Sequence, residues 1–172
     1  MTVKTNQEIE RRFLVTSIDP DIRRFPSRRI QQGYFETPPY FSLRVRISDD
    51  VKAEITRKDG IGIQRTEATL PTDLATAEFL LASCTDVLDK ARYLRDGWEV
   101  DFYEGPLAGL VIAEFESPDA AEAELPPWIQ AAREVTDTVS NRVLARLATS
   151  LVALSDDRPR QAARLADFIG RL

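Results

Sequence analysis

From Glu8 to about Glu116 the chain falls into short runs that alternate apolar with polar residues at every second position, and the polar positions are systematically charged. Residues two apart in a strand share a face. Glu8, Glu10 and Arg12 therefore point one way while Ile9, Arg11 and Phe13 point the other. Ser42, Arg44 and Arg46 likewise oppose Leu43, Val45 and Ile47, and Lys90 and Arg92 oppose Ala91 and Tyr93. Arg65 with Glu67, Glu99 with Asp101 and Tyr103, and Glu114 with Glu116 repeat the pattern. Turn signals at Asp49-Asp50, Lys58-Asp59-Gly60, Asp96-Gly97 and Gly105-Pro106 punctuate the runs. They predict consecutive antiparallel strands over 7 to 14, 28 to 36, 41 to 48, 51 to 58, 61 to 70, 87 to 95, 97 to 104 and 109 to 116. Strands in that number suffice to close a barrel.

Two dispositions of such a charged face are open. It can be the solvated side of an antiparallel sheet packed on helices, which commonly carries mixed charge. Against this, the cations come as pairs at spacing two and so do the glutamates, whereas a surface face intermixes signs with Thr, Ser and Gln. If the sheet closes with the charged face inward, the lumen holds Arg44, Arg46, Lys58, Arg65, Lys90 and Arg92 beside several carboxylates. Burying so many charges without compensation is prohibitive. A polyanionic phosphate bridged to the carboxylates by a divalent metal satisfies both sets.

Helical segments flank the strands. Pro71-Thr72-Asp73 opens a stretch through Ser83 with Leu74, Ala77, Leu80 and Leu81 on one side, capped by Thr72 or Asp73. Ser140 or Asn141 caps a segment in which Val143, Leu144, Leu147, Leu151 and Leu154 recur at helical spacing. After Ser155-Asp156-Asp157-Arg158-Pro159, the residues Ala162, Leu165, Ala166, Ile169 and Leu172 form a second apolar stripe. The expected class is α+β, an eight-stranded antiparallel β-barrel with helices packed outside and at the C-terminus. One domain over 1 to 154 carries a docked amphipathic tail over 155 to 172. Trp128 and the C-terminal leucines belong to the core.

The 172 residues, 43% of them apolar, suit one ordinary domain with a real core. Histidine is absent and Cys84 is the lone cysteine, so a Ser-His-Asp triad, a Cys-His pair and an ordinary His/Cys zinc site are all excluded. Any chemistry falls to carboxylates, Lys, Arg, Tyr or a hard oxygen-bound metal. The net charge of −5 argues against sequence-independent binding to nucleic acid, though a local basic pocket is compatible with it. No apolar run suggests a signal peptide or a membrane span. The expectation is a cytoplasmic protein without disulfides, with no nucleic-acid or membrane partner, and with a homodimer left open.

Glu8-Ile9-Glu10-Arg11-Arg12-Phe13 resembles the Glu-x-Glu-x-Lys signature of the CYTH superfamily, the triphosphate tunnel metalloenzymes. The resemblance continues in family order through Gln32-Gly33-Tyr34-Phe35, Leu43-Arg44-Val45-Arg46, Ile55-Thr56-Arg57-Lys58, Arg65-Thr66-Glu67, Lys90-Ala91-Arg92-Tyr93, Glu99-Val100-Asp101, Ala113-Glu114-Phe115-Glu116 and Glu134-Val135-Thr136-Asp137. It spans residues 7 to about 150, nearly the whole chain. The small bacterial members that this chain is most similar to hydrolyse inorganic tripolyphosphate. The superfamily also holds adenylate cyclases and thiamine triphosphatases, so the fold alone names no substrate.

The resemblance implies Mg²⁺ or Mn²⁺ held by Glu8, Glu10, Glu114 and Glu116, with Asp101 a further ligand and Glu67 supporting. It implies a cradle for a small-molecule triphosphate made by Arg44, Arg46, Lys58, Arg65, Lys90 and Arg92, with Arg12, Tyr34 and Lys90 in catalytic roles. Glu67, Asp101 and Glu116 are alternatively ion-pair partners of lumen cations, and Tyr34 alternatively a packed aromatic. The chain departs from the family pattern where the signature lysine is Arg12 and where Val139 stands at the position of the usual tyrosine. The hydrolytic members are thought to pair that lysine with a tyrosine to activate water. Arginine keeps its proton at any accessible pH, so activation would pass to Tyr34, a carboxylate or the metal. Cyclisation of ATP, hydrolysis of thiamine triphosphate, and a triphosphate-binding module with weakened catalysis are the alternative functions.

Overall fold

The computed structural model describes residues 2–60, 63–153 and 158–172. Ile61, at the expected start of the fifth strand, and Leu154, with the expected tail boundary after it, lie outside the described residues. In chain order the elements are β1 (Lys4–Ile18), β2 (Ser27–Tyr34), β3 (Phe41–Ser48), β4 (Lys52–Asp59), β5 (Gln64–Thr72), α1 (Leu74–Ala82), β6 (Asp86–Arg95), β7 (Trp98–Tyr103), β8 (Val111–Glu116), β9 (Ile129–Glu134), α2 (Asn141–Ala153) and α3 (Arg158–Arg171).

All strand pairs are antiparallel, in the order β5-β4-β3-β2-β6-β7-β8-β1, and β1 returns to β5 to close an eight-stranded barrel. Tight turns connect two of the hairpins. Asp49 and Asp50 both adopt positive φ between β3 and β4, and Asp96-Gly97 does so between β6 and β7. That backbone twist matches the twist of the strands, and Asp and Gly tolerate it best.

β1 runs well beyond the expected 7 to 14 because it changes partners along its length. Lys4–Ile9 pair with β5, Glu10–Leu14 with β8, and Phe13–Ile18 with β9. A ninth strand, β9, adds to the eight that the alternation predicts. Its segment, Ile-Gln-Ala-Ala-Arg-Glu after Pro126-Pro127, carries too little apolar alternation to announce a strand, and it pairs with the edge that β5 leaves free on β1.

The alternation resolves into an inside and an outside. Outside, Val45, Ile47 and Ala53 pack under α1. Asp73 caps this helix by accepting from the Thr76 amide at 2.8 Å. Phe13, Val15, Trp98, Val100, Ala113, Trp128 and Ile129 form a second outer cluster beneath β9. Inside, the charged positions face one another. The lumen turns apolar at one end, where Leu14, Tyr34, Leu88, Tyr103 and Ile112 pack against Val139, Leu144, Ala145, Ala148 and Leu151 around α2. Leu165 of α3 joins the same cluster, and Arg133 donates to the Ile169 carbonyl at 3.0 Å.

Gly33 sits where α1 returns to the barrel. A Cβ at this position would lie 2.8 Å from the Cβ and Sγ of Cys84 and 2.9 Å from a methyl of Leu81. Only a residue without a side chain lets the end of α1 lie on β2. Gly33→Ala should therefore destabilise the fold by about 1–3 kcal/mol, read as a lower urea midpoint at unchanged m-value. An unaltered midpoint would show that this seam is loosely packed.

Candidate active site

A cavity of about 340 Å³ occupies the barrel. Nearly every strand contributes to it: Glu8, Glu10 and Arg12 from β1, Tyr34 from β2, Arg44 and Arg46 from β3, Lys58 from β4, Arg65 and Glu67 from β5, Arg92 from β6, Glu99 from β7, and Glu114 and Glu116 from β8. The segment Thr136–Val143 and the residues Pro39 and Phe41 complete the wall. The even spacing of these residues along their strands is what turns them all inward.

The buried charges satisfy one another. Arg12 reaches Glu10 at 2.6 Å and Glu114 at 3.0 Å; Arg65 donates to Glu10 at 2.5 Å. Lys58 pairs with Glu8 and, at 2.9 Å, with Glu67. Arg46 holds Glu54 at 2.7 Å. Arg92 grips Asp101 with two parallel bonds of 2.6 Å, meets Glu114 at 2.6 Å and also contacts Glu99. Arg44 is held loosely, 3.8 Å from Glu67. Several polar atoms remain without a hydrogen-bond partner: the buried donors Nε of Arg44, Arg46 and Arg65, and one buried acceptor, Oε2 of Glu8. Leaving such groups unpaired is costly, and an acceptor-rich anion would satisfy the guanidinium donors.

Proton affinities follow the geometry. Burial opposes ionisation of Glu114, yet Arg92, Lys90 and Arg12 together hold it well below the usual carboxylate range. Glu67 is held down to about 2 by Lys58 and Arg44, against its burial. Glu10 goes the other way: burial and the facing Glu114 carboxylate push it up to about 7, outweighing Arg12. Glu116 is also raised, by burial and by Glu8. Burial lowers Lys90 to about 8 although Asp101 favours its charge. Burial raises the Tyr34 hydroxyl, so it stays protonated at neutral pH.

Lys90 and Asp101, expected at the phosphate and the metal, are not among the residues lining the cavity. Lys90 is 1% exposed and donates to Asp101 at 2.5 Å and to Asn141 Oδ1 at 3.0 Å. They lie beneath Arg92 and fix its guanidinium. Tyr34 is at once a packed aromatic and part of the cavity wall. Glu116 has an exposed edge, and the remaining expected residues all line the cavity.

Sequence reasoning missed Asn141, Glu54 and Arg142. Ser140 is the cap of α2, accepting from the Val143 amide at 3.2 Å. Asn141 instead turns inward to accept from Lys90 and, at 2.6 Å, from the Tyr103 hydroxyl, and donates to Glu114 at 3.3 Å. Glu54 shares the alternation that singled out Lys58 and was legible by the same rule. Arg142 ties α2 to the β2–β3 loop through the carbonyls of Phe41 and Thr37, at 2.9 and 2.8 Å, a contact no local pattern announces.

The opposed shifts of two glutamates have a measurable consequence. Glu10 binds its proton more tightly in the fold than in the unfolded chain, so between the ordinary carboxylate range and pH 7 the native state holds the extra proton. Its contribution to stability is present below that window and is lost as pH rises through about 7. Glu67 acts oppositely, its contribution fading as pH falls toward 2. Thermal melts of the ligand-free protein at pH 5 and 8 should show a loss at the higher pH that is smaller in Glu10→Gln. Equal losses in both proteins would remove the Glu10 assignment.

No family model matches the chain. An inorganic triphosphatase of Nitrosomonas europaea is 35% identical over 151 residues, covering 80% of this chain and 96% of that protein. An inorganic triphosphatase of Acetivibrio thermocellus is 33% identical over 76% of this chain and 86% of its own length. The crystal structure of the inorganic triphosphatase NE1496 superposes with a TM-score of 0.53 at 32% identity, covering 80% of this chain and 96% of that one. The PH1012 protein of Pyrococcus horikoshii shares the fold, with a TM-score of 0.51 at 23% identity over 67% of this chain and 82% of that one. With the inward-facing charge set ordered around a closed eight-stranded barrel, these likenesses show that the chain belongs to the CYTH superfamily, the triphosphate tunnel family.

Proposed function

We propose that the protein hydrolyses a triphosphate inside this cavity, with inorganic tripolyphosphate, cleaved to diphosphate and phosphate, as the substrate. The carrying observation is that Arg44, Arg46, Lys58, Arg65 and Arg92 all turn into one cavity, with Arg44 held only loosely, 3.8 Å from Glu67. The names of the inorganic triphosphatase relatives point the same way.

Glu8, Glu10, Glu114 and Glu116 offer the hard oxygen donors that Mg²⁺ or Mn²⁺ prefers. Among the described residues no three acidic side chains are gathered at one point. Even so, Glu8 Oε2 has no hydrogen bond and only a loose ion pair with Arg65 at 3.6 Å, and the raised proton affinity of Glu10 and Glu116 supports a divalent cation beside them. Bound there, the ion supplies charge neutralisation at the phosphoryl oxygens.

The protein's own groups do the rest. Arg44, Arg46 and Arg65 present forked donors to the phosphate oxygens, and Lys58 acts as a point charge. Arg92 is oriented by Asp101, which accepts from Lys90, and Asn141 holds Lys90 in turn. These cations offset the charge that develops as water attacks the terminal phosphorus in line with the leaving diphosphate. Arg12 keeps its proton, its affinity raised further by Glu10 and Glu114 despite burial, so it orders those carboxylates and binds phosphate without relaying a proton. That same observation favours a second reading, a triphosphate-binding module with slow turnover.

Phosphate release from tripolyphosphate, ATP and thiamine triphosphate, each with Mg²⁺ and with Mn²⁺, tests the proposal. Tripolyphosphate should be fastest, and millimolar tripolyphosphate should raise the melting temperature in proportion to the logarithm of its concentration. No thermal shift with or without metal would sink the cavity as a phosphate site. Glu8→Gln and Glu114→Gln should each lose most activity and its metal dependence while staying folded. Wild-type rates across a metal titration would remove these two as ligands.

Arg12→Lys gives the signature position a group able to release a proton but cuts its span across Glu10 and Glu114. The expected outcome is faster turnover near neutral pH together with a lower melting temperature. A wild type already fast near neutrality, and slowed by the lysine, would show that arginine serves the site well.

A further inference from the structure

Gln32 is fully buried on the lumen face of β2, two residues before Tyr34, and is paired in the sheet with Arg46 on one side and Leu88 on the other. An amide with no solvent access must be justified by its partners. Its Nε2 donates to the Tyr34 hydroxyl oxygen at 3.0 Å, while its Oε1 has no partner. The Arg44 side chain, also a lumen residue lining the cavity, carries its positive charge close to the same phenol. A tyrosine hydroxyl has two acceptor lone pairs and one proton. With the Gln32 NH2 group donating to one lone pair, the O–H proton cannot point back at that nitrogen and is directed away from it. Tyr34 lines the cavity.

We infer that Gln32 is a positioning residue that locks Tyr34 as a hydrogen-bond donor toward a phosphoryl oxygen of the bound triphosphate. The bond is made without transferring the proton, and it strengthens as negative charge builds on that oxygen in the transition state. Tyr34 is thereby withdrawn from accepting a proton from water. Arg12 cannot accept one either, so in this chain neither member of the Arg12 and Tyr34 pair serves as base. Gln32 acts on the reaction through Tyr34 alone, without touching the substrate. This inference rests on the triphosphatase reading.

The test is a double-mutant cycle on tripolyphosphate hydrolysis with Gln32→Met, which keeps length but donates nothing, and Tyr34→Phe. Binding of tripolyphosphate by each variant is measured separately by calorimetry. Failure of the wild type to bind or hydrolyse tripolyphosphate would overturn the reading beneath the inference. The outcomes below, in an active wild type, concern the inference itself. Gln32→Met should lower kcat roughly 10- to 100-fold with a small change in KM, and should change kcat less than about 2-fold when Tyr34 is already Phe. Equal losses in both backgrounds, or no loss in either, would overturn it.

Gln32→Glu supplies a check that a packing role would not move. Its carboxylate takes the Tyr34 proton as acceptor and turns it from the cavity, so kcat should fall as in Tyr34→Phe although the side chain is isosteric. Wild-type turnover in Gln32→Glu would mean that Tyr34 already donates to Gln32, and the assignment would be wrong. If Gln32→Met loses its fold, as read by circular dichroism and melting, the cycle is run with Gln32→Glu in the same two backgrounds, with the same criteria.

Discussion

The barrel exists around a problem of electrostatics: a closed sheet whose inner face is ionic must neutralise every charge it removes from water. A single carboxylate or ammonium left alone in such a place is penalised by several kcal/mol or more. The answer here is a lattice in which most buried cations touch one or more carboxylates and most carboxylates touch two cations. Glu114 between Arg12 and Arg92, Glu10 between Arg12 and Arg65, and Asp101 between Lys90 and Arg92 are its nodes. The lattice ties β1 to β5, β8 to β6, and β6 to β7 through side chains as well as through the backbone ladder.

Such a lattice is balanced but not relaxed. Glu10 and Glu116 bind their protons more tightly than exposed carboxylates do, Glu8 keeps an oxygen without a hydrogen-bond partner, and three guanidinium groups keep buried Nε atoms without one. The excess of each sign sits in the same cavity as the excess of the other, and direct pairing does not exhaust either. On the proposed reading, a triphosphate that brings phosphate oxygens to the arginines, together with a divalent cation for the glutamates, would complete both, and the cavity would act as a preorganised electrostatic site.

The apolar end of the lumen decides which charges are reachable. α2 closes over Leu14, Leu88, Tyr103 and Ile112, and its first residue, Asn141, reaches inside to join Lys90, Tyr103 and Glu114. Lys90 and Asp101 are thereby held under the wall while Arg92 above them faces the cavity. Two lumen residues of one strand, Lys90 and Arg92, end in different environments because the barrel is packed at one end and open along the rest.

Period-two alternation by itself determined eight of the strands and which side chains of each share a face; that the charged face is the lumen was decided by closure of the barrel. Side-chain direction in a strand is a local property, and Glu8, Arg44, Lys58, Arg65 and Glu114 could be placed without knowing any partner. The absence of histidine and the lone Cys84 likewise confined the chemistry to carboxylates, cations and tyrosine. What the sequence did not contain were facts about partners. The length of β1 depends on which strand lies beside each of its segments, and β9 forms because an edge of β1 is vacant. The inward turn of Asn141 and the depth at which Lys90 and Asp101 lie depend on distances between residues far apart in the chain. Only closure of the barrel sets those distances, because burial and pairing are properties of the assembled neighbourhood and not of any residue's own spacing.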